Sequence, residues 1–259
     1  MLTPQEKSEL KLAKRLLESE GLAVKLQNIV GKPIVEGIKW LPEKWSDKVN
    51  SAAEIALKKS LDTAIKSLDA NVTAKKRSDG LHKLMAMASG AVGGAFGLPA
   101  LLVELPISTT IMMRSIADIA RAEGENLSDI GARLACMEVF ALGGTGTKDD
   151  YADTGYYAVR TVLAQQVSEA IRHIAQGSAA HASANPVARL ITSIASRFGV
   201  VVSEKALAAS VPVVGAAGGA MINTLFIDHF QDVARGHFIV RRLERLHGKD
   251  EVRLAYEQL

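Results

Sequence analysis

Aromatic residues and cysteine are scarce in this chain. Only 5% of its 259 residues are aromatic, whereas 48% are hydrophobic. Strands are enriched in aromatic and β-branched residues, so the scarcity of strand patterns favours an all-α protein. The single cysteine, Cys136, excludes a disulfide within the chain and fits a reducing compartment. We expect it to be a small buried side chain in a helix.

Targeting and hydrolase signatures are also missing. The N-terminal region has neither the apolar core nor the small-residue cleavage site of a signal peptide, so we expect a cytoplasmic protein. There is no Gly-x-Ser-x-Gly elbow and no His-Glu-x-x-His motif. The glycine-rich loop from Gly143 to Lys148 lacks the Gly-Lys-Ser/Thr ending of a phosphate-binding loop and follows a predicted helix instead of a strand.

Metal ligands at a suitable spacing are not found either. Asp149, Asp150 and Asp153 do not match an EF-hand loop, and we interpret them as acids that cap the next helix. His229 and His237 are about 12 Å apart along one helix, too far to share an ion. We therefore predict no metal and no cofactor. Lysines spread along helices without interleaved aromatics also argue against a nucleic-acid partner.

Two long uncharged stretches stand out, Leu84 to Val103 and Ala206 to Ile227. Both approach the roughly 20 apolar residues that a helix needs to cross a bilayer. Glycines four residues apart lie on one helix face and allow another backbone to approach closely. We predict a multi-helix globular domain in which two central Gly/Ala-rich helices pack against each other. The packing glycines are Gly90, Gly93, Gly94, Gly97, Gly215, Gly218 and Gly219.

The two stretches make poor membrane spans. Pro99 divides the first, and the second contains Ser210, Pro212 and Asn223. Charge is uneven: residues 1–83 carry 16 basic and 11 acidic residues, residues 84–234 carry 9 and 13, and the remainder 6 and 4. Two membrane crossings would therefore place both basic ends on the cytoplasmic side. Insertion in a bilayer and a soluble core both remain open.

Caps and breakers predict the helix boundaries. Thr3, Pro4 and Glu6 form a capping box that starts a helix running to about Glu20. Further helices are predicted from Leu22 to Val30, from Pro106 to Gly124, from a Ser128 cap to Leu142, from Tyr156 to Gln176, from Asn185-Pro186 onward, and beyond Pro212 as far as Gly248. We divide the chain into N-terminal amphipathic helices at 1–80, a helical core at 81–248 and a C-terminal tail at 249–259.

One N-terminal helix has a clear apolar stripe. Its members recur at steps of three or four residues: Ala53, Leu57, Leu61, Ile65 and Leu68. Lys58, Lys59 and Lys66 fall outside that stripe. The helix is either a surface helix packed on the core or a helix that lies on an anionic membrane surface.

Charged residues beside the apolar runs suggest a buried polar network. Arg114 is flanked by Ile111, Met112, Met113 and Ile116, so we expect it to be buried and paired with a carboxylate. The predicted network comprises Arg114, Asp118, Tyr157, Arg160, Asn223, Asp228, Asp232 and His237. The alternative is a hydrolase-like catalytic cluster of Arg114, Asp118, His229 and Asp232.

Several ordered motifs resemble one known family. They are Gly93-Gly94-Ala95-Phe96-Gly97-Leu98-Pro99, Arg114 with Ala117-Asp118-Ile119, Leu142-Gly143-Gly144, Thr154-Gly155-Tyr156-Tyr157-Ala158-Val159-Arg160, His237-Phe238 and Arg241-Arg242-Leu243-Glu244. Together they resemble the EcsC protein family over roughly residues 30–248. The resemblance implies a bacterial, helix-rich protein of a family named for its link to an ABC-transporter operon. It implies no reaction.

These observations favour a function other than catalysis. We expect peripheral membrane association or lipid binding in an envelope or transport-related process. The expected partners are an anionic membrane surface or lipid at the inner face of the cytoplasmic membrane, or a transporter or other envelope protein. A hydrolase-like enzyme and a soluble protein-binding scaffold are the alternatives. An enclosed apolar cavity favours lipid binding, a polar cleft holding the four candidate side chains favours the enzyme, and a flat apolar patch favours the scaffold.

Overall fold

The structure, a computed structural model, describes residues 1–31, 43–67, 98–144, 155–176, 185–209 and 215–259. These residues form nine helices and no strand, so the predicted all-α fold is confirmed for them. The helices are α1 (Pro4–Leu17), α2 (Leu22–Val30), α3 (Glu43–Ser67), α4 (Leu98–Ala122), α5 (Ile130–Leu142), α6 (Tyr156–Ala175), α7 (Pro186–Ala209), α8 (Gly215–His247) and α9 (Lys249–Glu257).

The main core lies where α5, α7 and α8 meet. Four fully buried phenylalanines fill this centre, and their rings contact one another at centroid distances of 5.0 to 6.1 Å: Phe140, Phe198, Phe226 and Phe230. Offset and edge-to-face aromatic contacts add to the apolar area that each ring buries. Around this centre, α3 packs on α4 and α7, and α6 packs on α5 and α7.

A smaller core joins the two ends of the chain. Leu10 of α1, Val240 and Leu243 of α8, and Val252 and Tyr256 of α9 are buried against one another. Because α1 and α9 both pack on α8, the helices on either side of the predicted boundaries at 80 and 248 share contacts.

Local signals explain several helix ends. The capping box of α1 is confirmed, since the Thr3 N–H donates to Glu6 Oε2 at 2.7 Å and the Glu6 N–H donates to Thr3 Oγ1 at 3.3 Å. The predicted limits of α2 are also confirmed. The helix that was expected to run as far as Gly248 ends one residue earlier, because Gly248 adopts a φ of 89° that favours glycine.

Two predicted helix starts are wrong. Pro106 does not open a helix but lies inside α4, which begins at Leu98 with Pro99 as its second residue. In the first turn the missing N–H of a proline has no intrahelical acceptor to lose, so Pro99 suits the position that we gave to Pro106. Ser128 is not the cap of α5, because Asp129 fills that role by accepting from the Gly131 N–H at 3.1 Å.

The glycine-rich stretches are described only in part. Gly90, Gly93, Gly94 and Gly97 lie outside the described residues, and so do the surroundings of Gly215 and Gly218. Gly219 is buried in α8. The second stretch is divided between two helices, since α7 ends at Ala209 and α8 begins at Gly215. Packing of the two glycine-rich helices against each other stays a prediction.

Among the described helices, α7 has the length and composition of a membrane span. Its most apolar 18-residue window has a mean hydropathy of 1.2, and half of that window is buried inside the protein. Core helices of soluble proteins have the same properties, so this is weak evidence for insertion.

Candidate functional site

A polar groove of about 460 Å³ lies between α5, α6, α8 and α9. Four cationic side chains line it: Arg160, Arg241, Lys249 and Arg253. Three acids line it as well: Glu138, Glu244 and Asp250. Apolar side chains of α6, including Ala164, Val167 and Ile171, form part of its wall. The groove is large enough for a small organic molecule and offers both charged and apolar contacts.

The strongest contact in the groove is an ion pair between α6 and α8. Arg160 donates to both carboxylate oxygens of Glu244, from Nη1 at 2.7 Å and from Nη2 at 2.9 Å. The side chains are 15% and 6% exposed, so the pair is largely removed from water. Tyr157 adds a longer hydrogen bond of 3.5 Å from its hydroxyl to Glu244 Oε1. The two-bond geometry fixes the guanidinium plane and with it one wall of the groove.

Two buried side chains, Tyr156 and His237, lie next to this pair. The Tyr156 hydroxyl accepts from Arg160 Nη1 at 3.1 Å and lies 3.0 Å from His237 Nδ1. Burial lowers the pKa of His237 well below its ordinary value, so the ring is neutral and Nδ1 can accept the tyrosine proton. Burial also raises the pKa of Tyr156, which keeps its hydroxyl protonated.

Glu138 of α5 is a buried acid that lines the groove. It is 7% exposed, and its carboxyl makes no hydrogen bond within the described part of the chain. Burial raises the pKa of Glu138, while the charges of Arg160 and Arg241 oppose that rise. A buried carboxyl with a raised pKa can hold its proton and act as a hydrogen-bond donor to a ligand.

Arg241 reaches the groove from α8 with part of its guanidinium already engaged. Its Nε donates to Glu125 Oε1 at 2.8 Å and its Nη2 donates to Glu125 Oε2 at 3.3 Å. Arg245 also pairs with Glu125. The Nη1 group of Arg241 has no acceptor among the described residues and remains available to a ligand.

A second surface combines apolar and basic residues where α3 meets α4. A shallow cleft of about 430 Å³ is lined there by Ala52, Ile55 and Pro106, together with Lys48. Ile55 is 58% exposed, and Ile107, the residue after Pro106, is 52% exposed. Two exposed isoleucines on helices that pack together give this surface an apolar part.

The sequence model of the EcsC protein family matches residues 5–243. The chain belongs to the EcsC protein family. The match confirms the resemblance and extends it toward the N-terminus, so that α1 and α2 are part of the family's segment. It covers α6 and the part of α8 that carries Arg241, while α9 lies beyond it. No curated protein and no solved structure matches this chain.

The four catalytic candidates of this EcsC protein are not joined in one cluster. Arg114 is exposed, so the expectation that it is buried is wrong. Asp118 pairs with Arg121 at 3.1 Å and Asp232 pairs with Arg235 at 2.7 Å, each within its own helix. His229 is buried, with Nε2 placed 2.7 Å from the carbonyl oxygen of Gly143 at the end of α5. Burial lowers its pKa to about 4.

The predicted polar network is divided between two places. Tyr157, Arg160 and His237 lie together at the groove. Asn223 lies instead in the main core, where its Oδ1 accepts from Lys205 Nζ at 2.7 Å. Asp228 is half-buried in α8. Of the proposed membrane lysines, Lys58 and Lys59 are exposed, and the side chain of Lys66 lies outside the described residues.

Sequence reasoning missed Glu138 in the groove and the Glu104–Lys205 pair in the main core. Glu138 is the only charged residue between Leu134 and Leu142, and an isolated acid in an apolar run needs a reason to be there. Glu104 follows the first uncharged stretch and Lys205 precedes the second. These two form a buried ion pair of 2.9 Å, although they are 101 residues apart. The positions of Glu104 and Lys205 at the edges of the two uncharged stretches could have indicated this pair.

Proposed function

We propose that this EcsC protein binds the surface of anionic membranes reversibly through the face where α3 meets α4, in support of an envelope or transport-related process and without catalysis. The observation that carries the proposal is the exposure of Ile55 and Ile107 on two helices that pack together, with Lys48 lining the same cleft as Ile55. Apolar side chains flanked by cations are typical of surfaces that lie at the headgroup boundary of a bilayer.

Helix spacing places the cations on the same face as the exposed isoleucines. Lys48 lies two turns before Ile55, and Lys58 and Lys59 lie one turn after it. On α4, Arg114 lies two turns beyond Ile107, and both are exposed. The exposed position of Arg114, which excludes the buried role that we expected, therefore adds a positive charge to this face.

The face is suited to weak binding. Asp47 lines the same cleft, and Glu54 lies 4.0 Å from Lys58 as its ion-pair partner. These acids reduce the net positive charge, and two isoleucines insert little apolar area. We therefore expect attachment that is reversible and that weakens as salt screens the lysines.

Co-sedimentation with vesicles tests the proposal. The protein, purified without detergent, is expected to bind phosphatidylglycerol vesicles at low salt and phosphatidylcholine vesicles much less. Each lysine near an anionic surface contributes about 1 kcal/mol, so Lys58→Gln with Lys59→Gln should weaken binding by about tenfold or more. Ile55→Ser with Ile107→Ser should weaken it without changing its salt dependence.

Matched variants elsewhere on the surface are the controls. Lys7→Gln with Lys11→Gln removes two exposed lysines of α1, and Leu246→Ser removes an apolar side chain that is 63% exposed. Both should bind like the parent. Absence of binding at low salt, or retention after a high-salt and alkaline wash, contradicts the proposal. A dimer that sediments as such and is lost in the isoleucine variant assigns the face to a second copy of the chain instead.

A further inference from the structure

We propose that the groove between α5, α6, α8 and α9 binds a phosphate-bearing organic molecule, with the phosphate held by Arg241, Lys249 and Arg253 and by the carboxyl of Glu138. This site is separate from the α3–α4 face, since α3 packs on α4 and α7 while the groove is formed by four other helix segments. The proposal therefore does not rest on membrane binding.

The charge of the groove favours an anion. Four cations line it, and one of them, Arg160, is committed to Glu244 through both terminal nitrogens. Arg241 keeps its Nη1 group free of acceptors among the described residues. Lys249 is exposed at the first position of α9 and has neither an ion pair nor a hydrogen bond among them. Arg253 donates from Nε to Glu257 at 2.8 Å, and its terminal nitrogens have no acceptor among the described residues. Arg241, Lys249 and Arg253 therefore retain donors, whereas Asp250 is the only other acid in the lining besides Glu244 and Glu138.

Glu138 is an independent indication of a ligand. Glu138 is 7% exposed as a residue, lines the groove and has no hydrogen-bond partner within the described residues. Buried polar groups without a partner are rare, and an absent ligand is one explanation of such a group. With its proton retained, Glu138 donates to an anion; without the proton, it repels one.

A phosphate suits these donors better than a carboxylate. A phosphate group presents three or four oxygens in a tetrahedral arrangement, whereas a carboxylate presents two in a plane. The donors of the groove come from three helices, α5, α8 and α9, so they approach an anion from different sides. Arg253 lines the groove with its guanidinium 5.5 Å from the centre of the Tyr157 ring, while its Nε donates to Glu257 of the same helix.

The groove is larger than a phosphate group alone would fill, so we infer that its ligand also has an organic part. The groove has a volume of about 460 Å³, which is typical of sites for small organic molecules and larger than one phosphate group needs. Val167 and Ile171 give its far wall an apolar surface. The same phosphomonoester chemistry is found in soluble sugar or glycerol phosphates and in the headgroup of phosphatidic acid.

Calorimetry with glycerol 3-phosphate tests binding of a soluble phosphomonoester. Co-sedimentation with phosphatidic acid vesicles tests binding of a lipid headgroup. For glycerol 3-phosphate, Lys249→Gln with Arg253→Gln should weaken binding by at least about tenfold. For phosphatidic acid vesicles the same two substitutions are compared in a protein that already carries Lys58→Gln and Lys59→Gln, so that binding through the α3–α4 face does not hide the loss. Lys58→Gln with Lys59→Gln is the matched control for glycerol 3-phosphate, because it removes the same charge from the other face and should leave binding unchanged. Loss of binding in the groove variant supports the source that shows it. No binding of either probe, or equal binding by the groove variant, overturns the proposal.

The pH dependence of sulfate binding tests the role of Glu138, since sulfate keeps its charge between mildly acidic and mildly alkaline pH. The groups that face Glu138 are Arg160 and Tyr157 of α6, Arg241 and Glu244 of α8, and Lys249 of α9. Sulfate affinity should fall as rising pH removes the Glu138 proton. Glu138→Gln, which keeps an uncharged donor of similar shape, should bind with little pH dependence. The same fall in both proteins overturns the role of Glu138.

Discussion

At the scale of residues, the ion pair of Arg160 and Glu244 positions several neighbouring side chains. Arg160 contacts Glu244 through two hydrogen bonds, the Tyr156 hydroxyl through a third, and the Tyr156 ring at 5.2 Å from its centre. The pair therefore positions the buried Tyr156 and His237 as well as a wall of the groove. Buried ion pairs add little net stability compared with apolar replacements, but removing one partner leaves a buried charge uncompensated.

We predict that Arg160→Met destabilises the protein by ~3–5 kcal/mol, because Glu244 then remains buried without its partner. Replacing both residues, Arg160→Met with Glu244→Leu, should recover most of that loss. Denaturant titration of the two single variants and the double variant gives the coupling energy. A double variant whose loss equals the sum of the single losses would show that the pair is not coupled.

At the scale of helices, close approach depends on glycines outside the glycine-rich stretches. A Cβ atom at Gly236 of α8 would lie 2.9 Å from the carbonyl oxygen of Ala13 and 2.7 Å from Cγ of Leu17, both in α1. At Gly199 of α7, a Cβ atom would meet the side-chain amide oxygen of Asn50 in α3. Backbone in a packed helix cannot move alone, whereas an amide side chain can rotate away.

We therefore predict that Gly236→Ala destabilises the protein by ~1–3 kcal/mol, since α1 must shift away from α8. Gly199→Ala is the matched comparison within a helix. Its steric cost should be offset by the gain in helix propensity of about 1 kcal/mol, so its stability should remain within ~1 kcal/mol of the parent. Thermal or denaturant unfolding of both variants checks this. Equal effects of the two substitutions would mean that α1 adapts to the added methyl group.

The sequence predicts helix ends better than helix contacts. Local chemistry decides the capping box at Thr3 and the stop at Gly248, so both could be predicted. Gly236 has no second glycine four residues away, so no pattern marks it as the contact with α1. Arg114 was misplaced because its neighbours in sequence are apolar, whereas helical spacing puts it on one exposed stripe with Ile107.

In the candidate site, only contacts between residues that are close in sequence could be predicted. Tyr157 and Arg160 are one turn apart, and the sequence therefore predicts that they lie together. Glu244 is 84 residues from Arg160, and its pairing depends on how α6 lies against α8. The same limit applies to Glu138, whose role follows from the helices that surround it. Contacts between distant helices are set by packing, which single-sequence patterns do not describe.

At the scale of the whole molecule, the position of α7 in the main core decides what insertion in a bilayer would cost. This helix is the membrane-span candidate among the described helices, yet it supplies Phe198 to the aromatic centre and packs on α3, α5 and α6. Inserting α7 in a bilayer would remove it from those helices and open the main core. Binding through the α3–α4 face leaves that core closed.

The single cysteine can report which of these occurs. Cys136 of α5 is 2% exposed, and burial raises the pKa of its thiol to about 12, so the reactive thiolate is scarce in the folded protein. We predict that a thiol reagent labels the native protein slowly and the denatured protein at once. Adding phosphatidylglycerol vesicles at low salt should leave the slow rate unchanged, although the protein is bound. Faster labelling on the vesicles would show that the bundle opens and would favour insertion over surface binding.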